Sequence, residues 1–101
     1  MQGKYAVIFA STKYNKDEEY LERDGDLMAL AETQPGYLGF ESLANDNKSI
    51  FISYWESREA VDAWRNNMKH LAAKKDVAKW YSRYLSQICV IESSHEWIKE
   101  L

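Results

Sequence analysis

Three short segments of this chain are uninterrupted runs of apolar residues, and they limit the folds that the chain can adopt. Residues 6–9 read AVIF, residues 50–52 read IFI and residues 88–91 read ICVI. Neighbouring side chains of a β-strand point to opposite faces of the sheet, so each run would place apolar groups on both faces. A sheet built from these strands therefore has to be covered on both sides.

The remaining segments predict a single α+β domain with the element order β-α-β-β-α-β. Helical spacing predicts a first helix that ends at Pro35 and Gly36, and a second helix over residues 58–69 with Ser57 as its N-cap. We expect strands at residues 5–10, 37–44, 50–55 and 82–92. This order is the split βαβ pattern of ferredoxin-like folds with an antiparallel sheet.

Two helices cover only one face of such a sheet, and no third helix is predicted for the other face. A second copy that packs sheet against sheet would bury it, so we expect a homodimer that forms an α+β barrel. The alternative is a monomer whose C-terminal tail folds across the open face. The 101 residues fit one domain, with a core at about residues 4–92 and a tail at residues 93–101 that we expect at the dimer interface.

Charge and composition argue against several classes of function. The net charge is −3, whereas a protein that binds nucleic acid needs a clustered positive surface, so we expect no nucleic-acid partner. No apolar run approaches the ~20 residues of a membrane span, and no signal segment is recognisable, which predicts a cytoplasmic protein without membrane contact. The single Cys89 and the wide separation of His70 from His95 predict neither a disulfide nor a metal site.

Several motifs resemble those of the antibiotic biosynthesis monooxygenase-like family. Residues 35–42 (PGYLGFES) resemble its helix-to-strand junction, and residues 53–57 (SYWES) resemble its next strand and helix start. Residues 70–73 (HLAA) and 80–84 (WYSRY) resemble its third block. The similarity covers about residues 5–92. It implies a dimeric barrel with a cavity in each subunit between the helices and the sheet.

The resemblance also implies a choice between two chemistries. Family members either oxygenate aromatic polyketides without a cofactor or bind and cleave haem. We predict the first, a cofactor-independent monooxygenase for a small aromatic or polyketide-like substrate. Haem binding or degradation with His70 as axial ligand is an alternative, although the haem-degrading branch has an Asn on its first strand and residues 5–12 contain none. A non-catalytic dimer that binds a small apolar ligand is a further alternative.

His70 is the predicted catalytic residue, because an imidazole with a pKa near 6.5 can act as the base that makes an electron-rich substrate anion. On a straight helix His70 lies about 120° from Trp64, so it faces the cavity only if the helix kinks or ends near Met68. A surface position is the alternative. The residues predicted to line the pocket and bind the ligand are aromatic: Trp64, Trp80, Tyr81, Tyr54 and Tyr84.

These aromatic residues also have a structural interpretation. Trp64 fits the apolar stripe of the second helix and can be a core residue, whose indole N–H then needs a partner. Tyr81 and Tyr84 can pack across strands. Tyr54 and Trp55 point to opposite faces of the sheet, so at most one of them lines the cavity and the other would meet the partner subunit.

Overall fold

The computed structural model describes residues 1–13, 28–74 and 81–100, with the backbone alone for residues 13, 68–74 and 81. Along the chain it contains β1 (Tyr5–Lys13), α1 (residues 28–32), β2 (Tyr37–Asn45), β3 (Lys48–Trp55), α2 (Arg58–Lys74) and β4 (Tyr81–Val90). The predicted order of elements is therefore observed. The first part of the predicted first helix lies outside the described residues.

The four strands form one antiparallel sheet in the order β2-β3-β1-β4. β1 is central and pairs Tyr5 with Trp55 of β3 on one side and with Val90 of β4 on the other. Both helices contribute to one hydrophobic core, so they lie on the same face of the sheet. This topology is the ferredoxin-like fold and confirms the predicted α+β class.

The core lies between the helices and the face of the sheet that we name the helix side. Val7 of β1, Ala31 of α1 and Val61 of α2 are buried in it around Trp55. The Trp55 ring stacks on that of Trp64 with centroids 5.6 Å apart. Because large aromatic rings bury much apolar area, this pair anchors α2 on the sheet.

A turn at Pro35 and Gly36 joins α1 to β2, as the sequence predicts. The Tyr37 N–H donates to the Gln34 carbonyl at 3.2 Å, and Gly36 has a φ of 84°, which are features of a type II turn. A Cβ atom on Gly36 would lie 2.6 Å from the Cβ of Ala60 in α2. Glycine is therefore required here both for its positive φ and for the close approach to α2.

The start of α2 follows the prediction, but its end does not. The Ser57 Oγ accepts a hydrogen bond from the Ala60 N–H at 3.2 Å, which is the geometry of an N-cap. The helix then continues to Lys74, beyond the predicted end at residue 69. Residues 72–74 are alanine and lysine, which have high helix propensity and sustain the extra turn.

β1 and β3 are also longer than predicted, because they pair through polar residues. Ser11 lies opposite Ser49, and Thr12 lies opposite Lys48. The Oγ atoms of the two serines are 3.0 Å apart and share a hydrogen bond. Cross-strand pairing of this kind extends the sheet past the apolar runs that marked the predicted strands.

The opposite side of the sheet, which we name the open face, is not covered by the described helices. Cross-strand pairing produces three largely apolar rows on it, read from β2 to β4: Leu43, Ile50, Ala10 and Leu85; Glu41, Ile52, Ile8 and Gln87; Gly39, Tyr54, Ala6 and Cys89. Leu43 is 83% exposed and Ile50 is 50% exposed. Ala6, flanked by Tyr54 and Cys89 in its row, is only 7% exposed. The strands are thus apolar on both faces, as the sequence indicates, and the described helices leave part of the second face exposed.

The large apolar side chains of the C-terminal tail are exposed. Residues 91–100 have no regular secondary structure, and Trp97 and Ile98 within them are 75% and 77% exposed. These two side chains of the tail therefore do not bury the open face, and whether the tail of a monomer covers its own sheet stays a prediction. Separately, none of the described helices has the length and apolar character that crossing a membrane requires.

Candidate functional site

Beyond the packed core, the helix side carries four aromatic rings that we name the aromatic band: Phe40, Phe51, Phe9 and Tyr84. Phe40 stacks on Phe51 with centroids 5.3 Å apart, and Phe9 stacks on Tyr84 at 5.5 Å. Phe9 and Phe51 are direct cross-strand partners. The band therefore crosses all four strands on one side of the sheet, and aromatic rings of this kind can stack on a flat ligand.

The band lies on the helix side because of strand alternation. Trp55 is directed into the core, so Phe51, four positions earlier in β3, points to the same face. The same rule places Phe9 beside Val7 in β1. Phe9 and Phe51 thus extend the floor of the core toward the ends of β1 and β3 that lie away from Trp55.

Small hydroxyl side chains accompany the rings. Ser11 and Ser49 form the hydrogen-bonded pair next to the two central phenylalanines, and Ser11 is buried. Ser42 and Ser86 lie opposite those phenylalanines on the edge strands. The described residues of this region therefore combine apolar ring surface with neutral hydroxyl groups, which suits a neutral aromatic ligand with an oxygen substituent.

The two stacked tryptophans of the core differ in one respect. Trp55 is fully buried, and its indole N–H donates to the Ser53 Oγ at 2.8 Å. Trp64 is only 2% exposed, yet none of the described residues accepts a hydrogen bond from its indole N–H. A buried donor without an acceptor costs roughly 1–3 kcal/mol. Trp64 therefore holds a buried donor for which the described residues supply no acceptor.

The direction of α2 along the sheet shows where Trp64 lies with respect to the aromatic band. α2 begins just after the Trp55 end of β3 and is followed by β4, whose first residue Tyr81 pairs with Lys13 at the far end of β1. The helix thus runs back along the sheet from the core toward the band. Of the α2 side chains that the structure describes, Trp64 is the furthest along the helix in the core cluster, so it is the one nearest to the band along the helix axis.

Two of the predicted ligand-binding residues, Trp64 and Tyr84, lie on the helix side. Trp64 is a core residue, as its structural interpretation required. Tyr84 belongs to the band and packs across strands on Phe9, although it is 56% exposed. Their role in ligand binding stays a prediction.

Tyr54 lies on the other face. It is the cross-strand partner of Ala6 on the open face, and its hydroxyl donates to the Glu41 Oε2 at 3.2 Å. Burial raises the pKa of the Tyr54 phenol, and the Glu41 carboxylate raises it further. The structure therefore does not bring Tyr54 together with Trp64 and Tyr84, because alternation along β3 separates it from Trp55.

The other predicted residues lie in less fully described parts of the chain. Trp80 is outside the described residues, and His70 and Tyr81 are described by their backbone alone. α2 does not end near Met68, which was one of the two conditions for His70 to face the cavity. The role of His70 as a base stays a prediction.

Sequence reasoning missed Phe9, Phe51 and the serine pair. Each apolar run offers rings or aliphatic groups to both faces, so the pattern alone does not say which residues face the helices. The only available signal was the alternation from a buried Trp55, which would have assigned Phe51 and Ser49 to the same face. Among the described residues, no three His, Cys, Asp or Glu side chains are placed to hold a metal ion.

Comparison with known proteins agrees with this fold. The family model described as antibiotic biosynthesis monooxygenase matches residues 5–76. The uncharacterized protein YqjZ of Bacillus subtilis (strain 168) is 40% identical over 90 residues, which cover 87% of this chain and 79% of that protein.

Two crystal structures show the same fold at low sequence identity. SnoaB, a cofactor-independent oxygenase from Streptomyces nogalater, has a TM-score of 0.73 at 14% identity and covers 97% of this chain and 99% of its own. PA3566 from Pseudomonas aeruginosa has a TM-score of 0.70 at 17% identity and covers 89% of this chain and 95% of its own. The family match over most of the chain establishes that this chain belongs to the antibiotic biosynthesis monooxygenase family.

Proposed function

We propose that this chain is a cofactor-independent monooxygenase that acts on a small aromatic or polyketide-like substrate bound on the helix side of the sheet. The observation that carries the proposal is the buried indole N–H of Trp64, without a described acceptor, on the same side of the sheet as an aromatic band. Membership of the family and the chemistry of the distant structural neighbour SnoaB support this class of reaction.

The aromatic band would bind the ring of the substrate, and Trp64 would bind an oxygen atom on that ring. A planar substrate would stack its ring on Phe9 and Phe51, where it displaces water from apolar surface. The Trp64 N–H would donate to an oxygen of that ring, and the hydrogen bond strengthens as the oxygen gains negative charge. The arrangement thus favours the deprotonated substrate over the neutral one, which is the condition for a reaction with O₂.

The proposed reaction needs no electron source except the substrate. A base, for which His70 is the candidate, removes a proton from an activated CH₂ group that is conjugated with the phenol. The carbanion transfers one electron to O₂, and the resulting radical and superoxide combine into a C–O–O⁻ group. Protonation of this peroxide and loss of water convert CH₂ into C=O. Substrate and O₂ thus give ketone and H₂O, with four electrons leaving the carbon and four reducing O₂.

Haem is the less suitable ligand for the described part of this region. An axial ligand of haem is an imidazole, thiolate, thioether or phenolate, and its propionates pair well with cations. The described strand side chains on the helix side beyond the core are phenylalanines, serines, Ala44 and Tyr84. Tyr84 alone among them is of a type that ligates haem, and none is a cation that would pair with a propionate. The phenylalanines and serines therefore suit a neutral aromatic ring better than haem.

We also propose that the protein acts as a homodimer in which the open faces of two chains pack together. The three rows on that face bring Ile8, Ala10 and Ile52 to its centre. Exposed apolar surface of this extent is unusual on a monomer, and a second copy would cover it by two-fold symmetry. The helix sides of both chains, with the proposed sites, would remain on the outside of the barrel.

Oxygen uptake in the presence of an anthrone, corrected for uncatalysed oxidation, tests the proposed activity. We expect catalysed uptake that falls by about 10- to 100-fold in kcat/KM in Trp64→Phe, because one hydrogen bond to a charged oxygen is lost. Trp55→Phe is the matched control: it alters the same stacked pair but should retain kcat/KM. His70→Ala should lower kcat.

The same proteins distinguish the alternatives. Anthrone binding without oxygen uptake would contradict the enzyme and favour a non-catalytic binding protein. A shift of the haem Soret band on titration, abolished in His70→Ala, would favour the haem alternative.

A further inference from the structure

Ser53 of β3 is a second buried group on the helix side that can donate a hydrogen bond for which no acceptor is described. Its side chain is only 1% exposed, and its Oγ accepts the 2.8 Å hydrogen bond from the Trp55 indole N–H. A serine hydroxyl also carries one proton that it can donate. Among the residues that the structure describes, none accepts this proton. Ser53 therefore holds a buried O–H donor, as Trp64 holds a buried N–H donor.

The register of the sheet places Ser53 between the core and the aromatic band. Trp55 and Phe51 are its neighbours on the same face of β3, two positions away in either direction. Its cross-strand partners are Val7 of the core on one side and Phe40 of the band on the other. A ring that stacks on the band would therefore have an edge directed toward Ser53.

The two donors belong to one uncharged cluster. Trp55 donates to Ser53, and its ring stacks on that of Trp64 with centroids 5.6 Å apart. Burying a polar group without a partner is unfavourable, so each donor calls for an acceptor that the described residues do not supply. No member of the core cluster carries a charge. Neutral donors in such surroundings bind a negatively charged oxygen more strongly than a neutral one.

We infer that Ser53 is a substrate-binding residue whose O–H, like the Trp64 N–H, donates to the oxygen atoms over which the negative charge of an ionised phenol or enol is spread. This inference rests on the proposed function and adds a second donor to the site. It also explains why a strand that is otherwise apolar on the helix side carries a buried hydroxyl at this position. The ligand of the site is thus an aromatic oxyanion rather than a neutral ring.

Binding of 7-hydroxycoumarin tests the inference without any oxygenation. This flat phenol has no activated CH₂ group, and its neutral and ionised forms absorb at different wavelengths, so a pH titration gives the pKa of the bound phenol. We expect the wild type to lower this pKa below that of the free phenol. Ser53→Ala should bind the ionised form about 10-fold more weakly relative to the neutral form, which raises the bound pKa by about 1.

Trp55→Phe is the matched control. Both substitutions remove the hydrogen bond between Trp55 and Ser53, but only Ser53→Ala removes the O–H donor. The pKa of the phenol bound to Trp55→Phe should therefore stay close to the wild-type value. If Ser53→Ala does not fold, Ser53→Cys replaces it, because a thiol of similar size is only a weak donor and should shift the bound pKa in the same direction.

The outcomes separate Ser53 from the proposed reaction. Equal bound pKa values for the wild type and Ser53→Ala overturn the inference, as expected if Ser53 donates only to an ordered water. An equal rise in Ser53→Ala and Trp55→Phe also overturns it, because the lost hydrogen bond between the two residues then causes the change. So does a wild type that does not bind the phenol.

Oxygen uptake with the anthrone is judged separately. A wild type that lowers the bound pKa through Ser53 but consumes no oxygen contradicts the oxygenase and supports Ser53 as a donor in an anion-binding site. If oxygen is consumed, Ser53→Ala should lower kcat/KM about 10-fold. Uptake that is the same in Ser53→Ala as in the wild type overturns the role of Ser53 and leaves the oxygenase in place.

Discussion

The helix side and the open face are built from the same four strands, yet the described helices cover only one of them. On the helix side Val7, Trp55 and Val61 are buried under two helices. On the open face Leu43 and Ile50 remain in solvent, although they belong to a row that is apolar across the sheet. Strand alternation thus supplies two apolar surfaces, while the helices of one chain cover a single one.

The largest loss of stability is expected when a charged residue is placed in the core on the helix side. Val61→Asp would bury an unpaired carboxylate in the core, at a cost of at least about 4 kcal/mol. Since a domain of this size is stable by only about 5–15 kcal/mol, the variant should be largely unfolded. Circular dichroism measures the folded fraction of the variant, and thermal unfolding measures its remaining stability. A cooperative transition close to that of the wild type would show that the helix side is not the core.

The same kind of change on the open face should separate assembly from folding. In Ile50→Glu the new carboxylate would lie in the proposed interface twice per dimer, so we expect the dissociation constant to rise at least about 100-fold, equivalent to ~2.7 kcal/mol. The subunit should keep its circular dichroism. Lys48→Glu, at the polar end of the same strand, is the control. If Ile50→Glu unfolds as Val61→Asp does, the open face is needed for folding of the subunit, and the proposed difference between the two faces is contradicted.

The stacked tryptophans allow a finer comparison within the helix side. Trp55→Phe removes the donor to the Ser53 hydroxyl and leaves that buried oxygen unpaired, whereas Trp64→Phe removes a donor that has no described acceptor. Trp55→Phe should therefore cost about 1–2 kcal/mol more in the free energy of unfolding. Urea unfolding of both variants measures the difference. Equal losses would indicate that the Trp64 N–H is satisfied in solution.

The smallest effect concerns pH and the open face. Burial and the Glu41 carboxylate raise the pKa of the Tyr54 phenol above its usual value of 10.0. The folded state thus holds this proton more tightly than the unfolded state, so its contribution to stability is complete below pH ~10 and is lost as the pH rises through the raised pKa. Tyr54→Phe should lose less stability than the wild type between pH 9 and 11. The pKa of Tyr37 is also raised, so the stability of Tyr54→Phe should still depend on pH to a smaller extent in this range.

Much of the fold could be predicted because it depends on local chemistry. The turn at Gly36 and the cap at Ser57 follow from residue types whose backbone preferences act over a few positions. The paired strands follow from the apolar runs. The end of α2 was placed too early, since the apolar stripe fades before the alanine and lysine residues that carry the helix to Lys74.

The candidate site was less predictable because its residues come together only through strand register. Phe9 and Phe51 are 42 positions apart in the sequence and meet as cross-strand partners. In runs that are apolar at every position, alternation has no polar residue to mark the outer face, so Tyr54 was grouped with residues of the other side. The Trp64 donor was recognised from the need of a buried indole N–H for a partner.

The molar mass of the wild-type protein over a range of concentrations decides whether a second copy completes the sheet. The chain has a mass of 11.8 kDa. Sedimentation equilibrium should give twice this value at micromolar concentration, and Ile50→Glu should give the single value with its fold intact. A wild-type chain that sediments as a folded monomer at every concentration, with its open face in solvent, would contradict the barrel.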